Sequence, residues 1–184
     1  SGKTVAIIGS GPAGMAAADL LNKVGHSVTL FEKDDRAGGL LRFGIPDFKL
    51  TKAVIDRRLN LMTEEGLTIR TGVAVGKDIP AQDVVNNYDA VCIAIGAGHP
   101  RDLRMEGRDL SGIHFAVDFL SYKNRVNSGQ MHVSDNPLNA EGLKVVVLGG
   151  GDTGSDCVGT AIRQKAASVT QIEILPKPPV FRTQ

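Results

Sequence analysis

Thr4-Val5-Ala6-Ile7-Ile8-Gly9-Ser10-Gly11-Pro12-Ala13-Gly14 is the stretch that decides the fold. Its first five residues are a continuous apolar run, partly β-branched and closed by glycine, as expected of a parallel strand buried on both faces. Pro12 suits the first position of a helix. Ala13 to Val24 are mostly good helix formers, and Gly25 stands where a C-terminal cap is expected. A second strand, Ser27 to Phe31, follows at once. The spacing predicts a βαβ unit of about 30 residues with a right-handed crossover.

Outward from this unit the same grammar continues. Val54, Ile55, Leu59 and Met62 recur at helical spacing between Leu50 and Glu65, and Gly66 closes that segment before a strand-like Leu67 to Arg70. Pro80 to Asn87 reads as a helix. Asp89 to Ile95 reads as a further buried strand ending in Gly96-Ala97-Gly98. Polar turns and one amphipathic helix, His114 to Val126, fill the stretch up to Leu143. A second glycine-led unit then begins. It comprises the strand Lys144 to Leu148, the turn Gly149-Gly150-Gly151-Asp152-Thr153-Gly154, a helix to about Gln164, and the strand Val169 to Leu175. Pro176, Pro178 and Pro179 cannot continue that strand into a sheet interior. The expected fold class is α/β: a Rossmann-like, doubly wound parallel sheet in residues 1–100, a connector in 101–143, and the start of a second Rossmann-like unit in 144–184.

Composition narrows the function classes. The 184 residues carry a net charge of +1, with 42% hydrophobic and 22% charged residues, so a folded domain is expected rather than disorder or a membrane span. No basic run suggests nucleic acid. The opening Ser1-Gly2-Lys3 lacks the pattern of a signal peptide. Cys92 and Cys157 are far apart and belong to no Cys-x-x-Cys, which fits a reducing, cytoplasmic compartment and gives no metal or cluster site. Cys92, in an apolar run, reads as a small buried hydrophobe.

The glycine pattern carries the chemistry. Gly9 permits a tight turn, Gly11 lets backbone approach a pyrophosphate, and Gly14 lets helix and sheet pack closely; Pro12 and Ala13 lie between them, where the helix N-terminus receives negative charge. Glu32, at the end of the second strand, stands at the distance needed to accept hydrogen bonds from adenosine ribose hydroxyls. Lys33 and Arg36 stand beside it, as candidate nucleotide contacts or solvated surface residues. Gly149, Gly151 and Gly154 repeat the logic in the second unit, with Thr153 in the turn and Asp152 expected to face away from a phosphate or cap the helix. Glu173 falls at the ribose spacing, which favours NADH, whereas Lys177 and Arg182 can neutralise the extra phosphate of NADPH. The sequence points both ways. Two nucleotide sites suggest a tightly held flavin and an exchangeable nicotinamide. No catalytic triad, metal cluster or carboxylate pair is visible, and His26, His99, His114 and His132 are scattered.

Gly38-Gly39-Leu40-Leu41-Arg42-Phe43-Gly44-Ile45-Pro46-Asp47-Phe48-Lys49-Leu50 resembles the signature of the glutamate synthase small (beta) subunit. The run Gly149 to Cys157, leading to Pro176-Lys177-Pro178-Pro179, is similar to that family's nicotinamide site, so the resemblance covers essentially the whole chain. It implies FAD at the first fingerprint and Glu32, with Gly38, Gly39 and Leu40 beside it, Gly96 completing the site and Val75 at the adenine. It implies hydride delivery from NADPH or NADH, and onward electron flow through iron–sulfur clusters outside this chain to a large (alpha) subunit that makes glutamate. Related flavin domains occur in dihydropyrimidine dehydrogenase and ferredoxin–NADP reductases. The family's cysteine-rich cluster domain and C-terminal continuation have no counterpart here, so a fragment is expected. A non-catalytic nucleotide-binding module, forming a homo-oligomer over bare sheet edges, is the second reading. A dehydrogenase with a single nicotinamide site is the third.

Overall fold

The computed structural model describes residues 2–132 and 138–176. The chain divides into two compact units, Ser1–Arg108 and Asp109–Gln184.

In the first unit the strands β1 (Thr4–Ile8), β2 (Ser27–Phe31), β3 (Thr68–Arg70) and β4 (Ala90–Ile93) form one parallel sheet in the order β3-β2-β1-β4. The register pairs Val5 with Val28 and Ile7 with Leu30 on one side of β1, and Ile7 with Cys92 on the other. β1 is therefore internal, as its unbroken apolar run predicts, and Val5, Ala6 and Ile7 are all buried.

Alternation along the strands sorts the core into two faces. Val5, Ile7, Val28 and Leu30 meet Met15 and Ala18 of α1 (Pro12–Lys23) and Ile55, Leu59 and Met62 of α3 (Lys52–Glu64). Ala6 and Phe31 face the other way, against Val84 of α4 (Ala81–Asn87). Helices on both faces of a parallel sheet make the fold α/β and doubly wound, in the Rossmann manner. Each fully buried Ile or Leu contributes roughly 1.5–3 kcal/mol, so a one-residue slip of β1, which would turn Val5 and Ile7 to the opposite face, is strongly disfavoured.

The second unit contains α5 (Ala116–Asn127), β5 (Lys144–Leu148), α6 (Asp152–Arg163) and β6 (Ser168–Ile172). β5 and β6 form a two-stranded parallel sheet pairing Lys144 with Ser168 through Leu148 with Ile172. α5 lies within the stretch expected as a connector. Its Leu120, Tyr122 and Asn124 are buried, and it packs on α6, whose own buried residues Asp156, Cys157, Thr160 and Ala161 recur at helical spacing.

The four longer helices, α1, α3, α5 and α6, end alike. After α1 the Gly25 amide donates to the Asn22 carbonyl (3.0 Å) and the His26 amide to that of Leu21 (3.2 Å), the paired bonds of a Schellman cap. Gly66 after α3 and Gly129 after α5 close the same way, with positive φ. After α6 this role falls to Lys165, with φ 64°, whose amide donates to Ile162 while that of Ala166 donates to Ala161.

Several boundaries differ from the sequence expectation. β4 ends at Ile93 rather than Ile95, β6 at Ile172 rather than Leu175, and α5 starts at Ala116 rather than His114. A short helix, α2 (Gly39–Phe43), was not expected, because five residues entered through two glycines with φ of 130° and 51° show no helical periodicity.

Candidate functional site

In the order β3-β2-β1-β4 the chain builds outward from β1 in one direction and then returns to its other side. This makes a topological switch point at the carboxyl end of β1, where ligands of open α/β sheets bind. The Gly9 to Gly14 turn lies there. Gly9, with φ 102°, donates its amide to the Phe31 carbonyl at 2.8 Å, tying the turn to the end of β2.

The three fingerprint glycines are not equivalent. A Cβ on Gly14 would stand 1.8 Å from the Gly9 carbonyl oxygen, and one on Gly9 would stand 2.4 Å from that of Ala94; both glycines are required by packing alone. A Cβ on Gly11 would meet nothing within 4 Å. Gly11 is also the N-cap of α1 with φ −66°, a conformation open to any residue. Packing therefore does not require this glycine, whereas a pyrophosphate lying against the backbone at the start of α1 would.

Ser10 organises the turn. It is wholly buried; its amide donates to Oε2 of Glu32 at 3.1 Å, and its hydroxyl donates to the same oxygen. The other carboxylate oxygen, Oε1, accepts from the Asp34 amide at 2.9 Å. The Ser10 hydroxyl also accepts the Gly38 amide at 2.9 Å. A Cβ on Gly39 would lie 2.8 Å from Cα of Gly11, so the second glycine pair packs directly on the first turn. Arg42, also buried, locks the base of this loop: its Nε donates to the Ala37 carbonyl at 2.5 Å, and its guanidinium pairs with Asp56 of α3.

The structure thus assembles Gly9, Gly11, Gly14, Glu32, Gly38 and Gly39 around one turn. Pro12 and Ala13 open α1 at its exposed end, and Leu40 lies exposed in α2. Gly96, exposed with φ 67°, follows Ala94, whose amide donates to the Ile8 carbonyl beside the turn. Lys33 is exposed next to Glu32. Val75 is half-buried against the Phe31 cluster and forms a bridge with Ile79. Ser10 and Arg42 belong to the architecture although nothing in their residue types marked them: Ser10 fills a variable position of the fingerprint, and a buried arginine leaves no signature in hydropathy.

The second unit repeats the construction. Gly149, with φ 115°, donates to the Ile172 carbonyl at 2.8 Å, as Gly9 does to Phe31. A Cβ on Gly154 would stand 2.1 Å from the Gly149 oxygen, and one on Gly151 would meet nothing within 4 Å. The Gly150 amide donates to Oε2 of Glu173, as the Ser10 amide does to Glu32. Oε1 of Glu173 accepts the Leu175 amide at 3.0 Å. These amides, Leu175 first and Gly150 next, hold the Glu173 carboxyl below its usual range. Asp152 stands exposed at the first position of α6, whose N-cap is Gly151, and Thr153 beside it is exposed. Lys177 and Arg182 lie outside the described residues.

Both cysteines are free, Cys92 half-buried and Cys157 buried. Burial, then the neighbouring Asp156, pushes the Cys157 thiol up to about 11, so it stays protonated and is no nucleophile near neutral pH. Among the described residues no cluster fit to hold a metal ion occurs, and no helix is long and apolar enough to cross a membrane.

Comparison with known proteins gives the same outline. Residues 3–183 match the pyridine nucleotide-disulphide oxidoreductase family. The chain is 51% identical to the NADPH glutamate synthase small chain of Mycobacterium tuberculosis, a match covering 100% of this chain and 38% of that protein. It is 50% identical to the NADH glutamate synthase of Schizosaccharomyces pombe, over 97% of this chain and 9% of that one. Among solved structures, Mycobacterium tuberculosis FprA in complex with NADPH superposes with a TM-score of 0.75 at 24% identity, over 93% of this chain and 43% of that one, a likeness of fold.

Proposed function

The chain belongs to the pyridine nucleotide-disulphide oxidoreductase family, and from that premise we propose that it is the nucleotide-binding part of a flavin oxidoreductase that receives hydride from NAD(P)H. In this reading the first unit holds FAD and the second the nicotinamide nucleotide. The observation that carries it is the repeated asymmetry of the two turns: in each, the third glycine is required by packing and the middle glycine is not, while a glutamate at the end of the second strand holds the turn's amide.

The residues divide the work. Gly11 and the amino end of α1 receive the flavin nucleotide's pyrophosphate, with Pro12 and Ala13 opening that helix. Glu32 retains acceptor capacity for ribose hydroxyls. Gly38, Gly39 and Leu40 border the same nucleotide, Gly96 closes the site beside β4, Lys33 lies at its rim and Val75 meets the adenine. Gly149, Gly151, Thr153 and Gly154 do the equivalent for the nicotinamide nucleotide, with Asp152 turned outward and Lys177 and Arg182 beyond. Bound FAD supplies two-electron acceptance from a reduced nicotinamide and one-electron release. Cys92 and Cys157 form no Cys-x-x-Cys pair, so this scheme assigns them no redox role.

The small-chain relatives extend the proposal to the electron-input part of a cytoplasmic glutamate synthase. There, electrons pass to iron–sulfur clusters and a large subunit outside these residues, in support of glutamate synthesis. Gly11→Ala tests the nucleotide reading. The variant is expected to keep the far-ultraviolet spectrum and denaturation midpoint of the parent while losing the flavin absorbance that the parent shows with added FAD. Equal flavin retention by parent and variant would sink the assignment of that turn.

A further inference from the structure

Among the described residues of the first unit, the buried polar and charged side chains are Ser10, Glu32 and Arg42. Ser10 and Glu32 belong to the turn that the nucleotide reading uses. Arg42 does not, and a buried guanidinium is costly: apolar side chains of similar volume in place of such an ion pair are often neutral or stabilising, so stability alone does not account for it. Its contacts show what it holds. Nε donates to the Ala37 carbonyl at 2.5 Å, and the guanidinium reaches the exposed Asp56 of α3. Gly38 rests on it: a Cβ there would lie 3.1 Å from Cβ and 3.4 Å from Nε of Arg42. The Gly38 amide donates to the Ser10 hydroxyl at 2.9 Å, and Gly39 packs on Cα of Gly11. Contacts therefore run without a break from α3, through Arg42, to the glycine that packing leaves open.

We propose that Arg42 is a positioning residue for the flavin nucleotide: together with Asp56 it fixes the Gly38-Gly39 step against the Gly11 turn, and so places the backbone that borders the pyrophosphate. The inference rests on the FAD reading of the Gly9 to Gly14 turn. Gly38 and Gly39, with φ of 130° and 51°, form a step with no side chains of their own to lock it by packing. Its position depends on bonds from outside. Those bonds fall on the Ala37 carbonyl just before the step and on the Gly38 amide within it. Arginine suits the task because its planar fork donates in two directions from one rigid group, whereas lysine offers a compact charge on a flexible stem. One edge of the fork takes the carbonyl, and the other takes α3.

Quenching of FAD fluorescence on titration with the full chain reads nucleotide affinity without requiring turnover, and far-ultraviolet spectra show which variants are folded. Arg42→Met fills a similar volume without donors and is expected to weaken FAD binding at least about tenfold. Arg42→Lys keeps a charge and a donor, and its affinity should fall between those of Arg42→Met and the parent. Asp56→Ala, at an exposed position, should weaken binding at least about threefold by freeing the guanidinium. A side chain that only filled space would be replaced better by methionine than by lysine. Arg42→Met binding FAD as tightly as the parent, or no less tightly than Arg42→Lys, therefore overturns the inference while leaving the flavin site in place. Unchanged affinity in Asp56→Ala does the same. Failure of the parent to bind FAD overturns both the inference and the reading beneath it. If the Arg42 variants do not fold, Asp56→Ala decides by itself.

Discussion

The Ser10 hydroxyl donates to Oε2 of Glu32 in the interior of the first unit, joining a turn to a strand end 22 residues away. The same hydroxyl accepts the Gly38 amide, so one small side chain couples three separate segments. Ser10→Ala removes a donor and an acceptor at once and leaves the Gly38 amide without that partner. A loss of about 1–3 kcal/mol is expected from urea denaturation without added nucleotide. A loss below about 0.5 kcal/mol would show that the coupling is not structural.

Gly14→Ala and Gly154→Ala should both be costly, because in each case the opposing atom is a backbone oxygen that cannot rotate away. Each is expected to lose about 1–3 kcal/mol or more, or to fail to fold. Gly11→Ala and Gly151→Ala should change stability by less than about 0.5 kcal/mol, since the added methyl meets nothing. Similar losses in all four variants would remove the distinction between packing and ligand glycines.

Lys165 closes α6 in a conformation that favours glycine, with φ 64°. Relief of the left-handed penalty, about 1–2 kcal/mol, is partly offset by the chain entropy of glycine, about 0.5–1 kcal/mol. Lys165→Gly should therefore raise stability, by about 0.5–1 kcal/mol, read as a higher denaturant midpoint at unchanged slope. A lower midpoint would contradict the cap.

Asp89 fastens β1 at its start. Its carboxylate accepts from the Thr4 amide (2.8 Å), the Lys3 ammonium (2.9 Å) and the Thr4 hydroxyl (2.9 Å), which hold the carboxyl at about 2 against an ordinary 3.8. A folded-state value below the unfolded one means that the contribution is present in full above the unfolded value and is lost as pH falls towards the folded one. Asp89→Asn should lower the melting midpoint near neutral pH. The gap to the parent should close as pH drops from about 4 to about 2. A gap that stays constant across that window would place the effect elsewhere than in this carboxylate.

The readable parts of the chain were those that local chemistry settles. The Thr4 to Ile8 run announces an internal strand because only a position covered on both faces tolerates three successive buried residues there. Gly25 and Gly66 announce helix ends because a positive φ is inexpensive only for glycine. Lys165 shows the limit of that rule: the same cap forms on a lysine, and its residue type does not reveal it. Glu32 and Glu173 were readable as acids just after β2 and β6, but their bonds to the amides of Ser10 and Gly150 were not. α2 stayed hidden because it is held by what surrounds it, including the Arg42 clamp on Ala37 and Asp56, rather than by its own periodicity.

The sequence by itself determined the βαβ grammar, the two glycine turns and the acids that follow them, because strand burial, glycine φ and helix capping act over a few residues. Only the tertiary structure decided that β4 lies on the far side of β1 and so makes the switch point. It alone decided that Gly14 is barred from a side chain by the Gly9 carbonyl while Gly11 is open, and that Ser10 binds Glu32 and Gly38 together. These are contacts between segments distant along the chain. Their energies depend on distances that no local pattern encodes.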